Sequence, residues 1–146
     1  MIDIKTERIC AYLKSCKEVL AAYFYGSYIN GRAGKGSDLD IALLFLPGGK
    51  ITNISDKEIK YALSIEKKLE HVEADVKIIN SAPLFFQYKI ISEGKLIFCR
   101  DNYLRIKYEI RTTIEYFDFK PFLDYYNQCM YQNIKEGYRG FRSSRD

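Results

Sequence analysis

The chain has 146 residues and an apolar share of 47%, enough for one compact domain with a real core and too little for a second of ordinary size. Its net charge of +4 is too mild to mark a nucleic-acid binder, so direct nucleic-acid binding is not expected. No run approaches the ~20 apolar residues of a membrane helix, and MIDIKTERICAYLK is too charged for a signal peptide, which leaves a cytoplasmic protein without membrane association as the expectation.

Ile9, Tyr12, Leu13, Cys16, Val19 and Leu20 recur at helical spacing and predict an amphipathic helix over residues 4–20. Ala21–Tyr25 is a short apolar and aromatic run that stops at Gly26, which reads as a buried strand. Residues 26–37 are polar and hold four glycines. Asp38–Leu46 resumes as a strand and ends in the turn Pro47-Gly48-Gly49. Ser55-Asp56-Lys57-Glu58 has the spacing of a capping box for a helix running to about Glu70. His71 stands at that helix end, where it suits a C-terminal charge partner.

Val72–Asn80 predicts a third strand, with Val72, Ala74, Val76 and Ile78 on one face. Pro83 opens a short helix that Gly94 closes, and Leu96–Cys99 forms a fourth strand. Tyr103, Ile106, Ile110, Ile114 and Phe117 mark another helix, and Pro121 begins or kinks the last one. The whole reads as α+β: a mixed four-stranded sheet flanked by helices, one domain over residues 1–146, with C-terminal helices from about residue 101 onward. Cys10, Cys16, Cys99 and Cys129 have no metal-binding spacing and are expected to be reduced and buried. The single histidine excludes any centre that needs two imidazoles. The 13 tyrosines lie mostly at helix or strand spacings and suit core packing, with Tyr125, Tyr126 and Tyr131 a face for a protein partner.

The chemistry resides in the acidic residues of two strands. The period of two puts Asp38 and Asp40 on one face, and Glu73, Asp75 and Lys77 on one face of the third strand. If the strands are neighbours, Asp75 joins the first pair, with Glu73 as the alternative on the same face. Carboxylates ~5 Å apart repel by roughly 3 kcal/mol per pair at an effective dielectric near 20, so such a cluster calls for a cation. Hard oxygen ligands suit Mg²⁺, which also takes water and substrate phosphates. Gly26 permits close approach of backbone to a phosphate, and Ser27 adds a hydroxyl. The chain has no G-x-x-x-x-G-K-[ST], so a P-loop is not the phosphate site.

GSYINGRAGKGSDLD resembles the signature of the DNA polymerase β-like nucleotidyltransferases, Gly-Ser followed by Asp-x-Asp. VEADVKIINSAPLFFQYKIISEGKLIFCRD and IEYFDFKPFLDYY are most similar to the minimal nucleotidyltransferases (MNT) that act as antitoxins beside HEPN ribonuclease toxins. The resemblance implies the nucleotidyltransferase fold, phosphate contacts from Gly26 and Ser27, and Mg²⁺ held by Asp38, Asp40 and Asp75, which are also the catalytic residues. It implies ATP as the nucleotide and a HEPN toxin as the partner, with AMP passing to a toxin tyrosine. Such proteins often carry arginine just after Gly-Ser. Here Tyr28 stands there, and Arg32 or Lys35 would supply the charge. An antitoxin that acts by binding alone and a transferase for a small-molecule hydroxyl are the alternatives.

Overall fold

A computed structural model describes residues 4–26, 39–70 and 72–143. The chain divides into two compact units, Met1–Thr112 and Thr113–Asp146. The first holds α1 (Ile4–Ser15), β1 (Val19–Tyr25), β2 (Leu39–Phe45), α2 (Ile54–Leu69), β3 (Ala74–Ile78), a 3₁₀ turn (Ile79–Ser81), α3 (Leu84–Glu93) and β4 (Lys95–Cys99). The last helix, α4 (Asn102–Ser143), begins in the first unit and supplies the second. No helix among the described residues is long and apolar enough to cross a membrane.

The four strands form one mixed sheet in the order β3-β2-β1-β4. β1 pairs antiparallel with β2 and β4, whereas β2 and β3 are parallel and are joined through α2, as a parallel connection requires. The expected α+β architecture with a mixed four-stranded sheet is the one observed.

VLAAYFY and LDIALLF are nearly unbroken apolar runs because β1 and β2 occupy the middle of the sheet and are buried on both faces. One face packs Ile41, Leu43 and Val76 against Ile9 and Leu13 of α1 and Ile65 of α2. The other packs Tyr23, Ala42 and Leu44 against Ile79 and Ile90. Asp40 is the single charged residue in either central strand. Arg100, just past β4, closes the α1–β1 junction. Its guanidinium donates to the carbonyls of Val19 at 2.8 Å, Leu13 at 2.9 Å and Cys16 at 3.0 Å, and it lies over the Phe98 ring.

The third strand, expected over Val72–Asn80, spans only Ala74–Ile78 before the 3₁₀ turn, and three further departures concern α1, α2 and α4. The first helix stops at Ser15, and Val19 and Leu20 belong to β1, where both are fully buried and Val19 pairs with Phe45. Ser55–Glu58 does not make a capping box: α2 starts at Ile54 after Asn53, which has a left-handed φ of 53° and no side-chain cap. The Glu58 carboxylate turns instead to the sheet and accepts the Ile78 N–H at 2.8 Å. Finally, α4 continues through Pro121. Proline's φ is itself helical and only one backbone bond is forfeited there, a cost that the i,i+4 pair of Lys120 with Asp124 at 2.8 Å offsets in small part.

Candidate active site

Sheet register brings the site together. Tyr25 of β1 pairs with Asp40 of β2, and Asp40 pairs with Asp75 of β3. Directly paired residues of neighbouring strands share a face, so Tyr25, Asp40 and Asp75 form a row across three strands, each step spanning ~4.8 Å. That face is the one carrying Tyr23, Ala42 and Leu44. Glu73 precedes β3, and its backbone carbonyl accepts the Leu39 N–H at 2.8 Å; it is Asp75 that stands opposite Asp40. Ser27 and Asp38 lie outside the described residues, as do Tyr28, Arg32, Lys35 and His71.

Gly26 ends β1 with a φ of +78°, a conformation that suits glycine. A Cβ at this position would meet Asp40 Oδ2 at 2.4 Å. The glycine is therefore what lets the strand end and the carboxylate occupy the same place.

Burial pushes the Tyr25 phenol well above its ordinary pKa, and the negative charges of Asp40, Asp75 and Glu58 add to the shift. The neutral phenol thus sits among three carboxylates, with its ring edge-on to Phe86 at a centroid distance of 5.6 Å. Tyr25, Phe86, Lys77, Ser55 and Ser81 line a cavity of about 520 Å³. A second cavity of about 340 Å³ adjoins it through Ser55, Glu58 and Lys77, and is bordered by Asp75, Ile59 and Leu63. A volume of this order suits a small-molecule site, which is commonly ~300–1,000 Å³.

β3 is an edge strand, and α2 covers that edge with two glutamates. Glu66 accepts the Ala74 N–H at 2.9 Å and Glu58 accepts the Ile78 N–H at 2.8 Å. The strand that carries Asp75 is thereby held at both ends.

Asp40 and Asp75 fit a hard divalent cation: both present carboxylate oxygens on one face, and the missing Cβ of Gly26 keeps space at Asp40 Oδ2. Among the described residues no third carboxylate, thiol or imidazole completes a metal cage with them. Mg²⁺ ordinarily keeps several water or phosphate ligands, so two protein carboxylates are consistent with its chemistry. Tyr25, Phe86 and Glu58 were not legible as site residues. Tyr25 directly precedes Gly26, but only the register with Asp40 reveals which side of the sheet it serves.

The family model described as "Polymerase beta, Nucleotidyltransferase" matches residues 7–103. Several solved structures share the fold. A toxin–antitoxin complex with AMP-PNP contains a chain 20% identical to this one, covering 89% of this chain and 98% of its own, with a TM-score of 0.68. The MntA–HepT toxin–antitoxin structure is 16% identical over 90% of this chain and 97% of its own, with a TM-score of 0.63. A complex of tri-AMPylated Shewanella oneidensis HEPN toxin with MNT antitoxin is 18% identical over 92% and 99%, with a TM-score of 0.66. No curated protein matches the chain.

Proposed function

The chain belongs to the polymerase β nucleotidyltransferase family, and from that membership we propose that it is an MNT-type antitoxin that transfers AMP from ATP to a tyrosine hydroxyl of a HEPN toxin. The observation that carries this reading is the pairing of Asp40 with Asp75 beside Gly26 on one sheet face. Two carboxylates in register on neighbouring strands repel each other, an arrangement that is worthwhile where a cation and a phosphate are to be bound. The likeness to complexes containing AMP-PNP and an AMPylated HEPN toxin supports the choice of nucleotide and partner. We place the reaction in the cytoplasm, where ATP is available.

Asp40 and Asp75, with Asp38, would hold Mg²⁺. When bound, the ion supplies Lewis acidity toward the α-phosphate and neutralises the leaving group. The glycine backbone at residue 26 and the Ser27 hydroxyl receive phosphate oxygens. The toxin hydroxyl oxygen forms a bond to the α-phosphorus while the α–β phosphoanhydride bond breaks, and pyrophosphate departs with the bonding electron pair. Asp75, half-exposed at the sheet edge, accepts the hydroxyl proton.

Incubation of the full chain with labelled ATP, Mg²⁺ and the HEPN protein encoded beside it tests the reading. The expected result is a toxin adduct with the mass of one or more AMP groups, lost on Mg²⁺ removal and in Asp40→Asn. If the wild type gives no metal-dependent adduct while still protecting cells, the protein neutralises its partner by binding alone and the transferase reading fails.

A further inference from the structure

Among the described residues, Lys77 is the cation beside the carboxylate row. It lies on β3 two residues beyond Asp75, paired with Ala42 of β2, so it shares the face of Asp40 and Asp75 and stands one pleat further along. Its side chain is 50% exposed, and its Nζ is 3.9 Å from Asp75 Oδ1, which is beyond hydrogen-bond reach. Among the described residues it has no other charged or hydrogen-bonded partner.

Among the described residues lining the 520 Å³ cavity and its 340 Å³ neighbour, Lys77 alone is cationic, and it borders both. The anionic groups around it are Asp75 and Glu58, and Glu58 is engaged by the Ile78 N–H. An ammonium with its donors unspent, beside a carboxylate row and open to a cavity, is poised for an anion that arrives with the substrate. A nucleotide bound at Asp40 and Asp75 brings phosphates to a face that already carries two negative charges. A lysine presents a point charge with three donors, well suited to a phosphate.

We propose that Lys77 binds a phosphate group of the nucleotide substrate, or of the pyrophosphate that it releases. The inference rests on the nucleotidyl-transfer reading and adds a phosphate-binding residue that lies outside the Gly-Ser and Asp-x-Asp segments.

Calorimetric titration of the full chain with AMP-PNP, AMP, pyrophosphate and adenosine, each with Mg²⁺, tests it in wild type, Lys77→Ala and Lys77→Arg. Lys77→Ala is expected to bind AMP-PNP about ten- to a hundred-fold more weakly, the range for a hydrogen bond to a charged group. Its affinity for adenosine stays unchanged, and Lys77→Arg regains most of the lost affinity. Loss toward AMP locates the contact at the α-phosphate, and loss toward pyrophosphate places it further out; either supports the proposal. Unchanged AMP-PNP affinity in Lys77→Ala, or an equal loss toward adenosine, overturns it. Failure of the wild type to bind AMP-PNP strikes the nucleotidyl-transfer reading itself, and is thereby distinguishable from failure of the Lys77 assignment. An unchanged melting temperature in Lys77→Ala shows that the half-exposed side chain was removed without disturbing the fold.

Discussion

A methyl group on Gly26 would stand 2.4 Å from Asp40 Oδ2, and the backbone there has a φ of +78°. Two independent costs therefore meet in Gly26→Ala. The left-handed conformation costs an alanine about 1–2 kcal/mol, and the carboxylate must swing aside. The expected variant is folded, less stable by about that amount, and defective in AMP transfer by more than about a hundred-fold, because a displacement of about 1 Å suffices for such a loss. Urea denaturation and an AMPylation time course check the two effects separately. Near-normal transfer with the stability loss alone would show that Asp40 need not keep its position.

The register of Asp40 with Asp75 leads to an opposite pairing of stability and activity. Without metal the two carboxylates repel, although the roughly half-exposed Asp75 is well screened. Asp75→Asn is expected to raise the metal-free stability slightly, by on the order of 1 kcal/mol at most. The same change should remove most of the stabilisation that Mg²⁺ gives the wild type, since a ligand that binds only the folded state stabilises by mass action. Thermal melts with and without Mg²⁺ decide it. A metal-dependent shift preserved in Asp75→Asn would exclude Asp75 as a ligand.

How far the fold could be read beforehand follows from the kind of constraint each segment carries. Asp38–Leu46 read as a strand, and strand parity alone put Asp75 and Lys77 on one side of β3. The Asp40–Asp75 contact needed one further fact, the adjacency of β2 and β3, which parity cannot supply. Val19 and Leu20 satisfied the helical period of α1 as well as the strand that they join, and the long-range pairing of Val19 with Phe45 decided between the two. Glu58 matched a local capping pattern, but its carboxylate serves Ile78, twenty residues away. Local rules lose where the unpaired edge of a strand competes for the same side chain.

That competition can be measured. Glu66 and Glu58 each accept a backbone N–H of the outer edge of β3, and each loss would leave a donor without its partner. Glu66→Ala is expected to cost about 0.5–1.5 kcal/mol, the range for a hydrogen bond that is only partly buried, with Glu66→Gln recovering most of it because the amide oxygen still accepts. Hydrogen exchange should rise first at Ala74, the amide that loses its acceptor. A bare edge also invites pairing with another chain, so Glu58→Ala combined with Glu66→Ala should aggregate at concentrations that the wild type tolerates. An unchanged urea midpoint in Glu66→Ala would mean that solvent replaces the carboxylate without loss.

Alkaline stability follows from three phenols, Tyr23 and Tyr61 buried and Tyr25 half-buried. Burial raises the pKa of Tyr23, Tyr25 and Tyr61, and carboxylates beside them push the same way. Tyr23 donates to Glu109 Oε1 at 2.6 Å, and Tyr61 donates to Glu18. A folded-state pKa above that of the unfolded chain means that the unfolded phenol releases its proton first. The stabilisation is complete below the unfolded value near about 10 and is lost progressively as pH rises beyond it. Stability should therefore be flat with respect to these groups from about pH 7 to 9 and fall steeply above about pH 10. Tyr61→Phe removes one titrating group. It should cost about 1 kcal/mol at neutral pH, through the lost bond to Glu18, yet lessen the slope above pH 10. Denaturation midpoints across that range, with tyrosinate absorbance followed on the same samples, separate the phenols from the lysines that titrate nearby. A slope identical in wild type and Tyr61→Phe would remove Tyr61 from the account and leave the alkaline limb to the other groups.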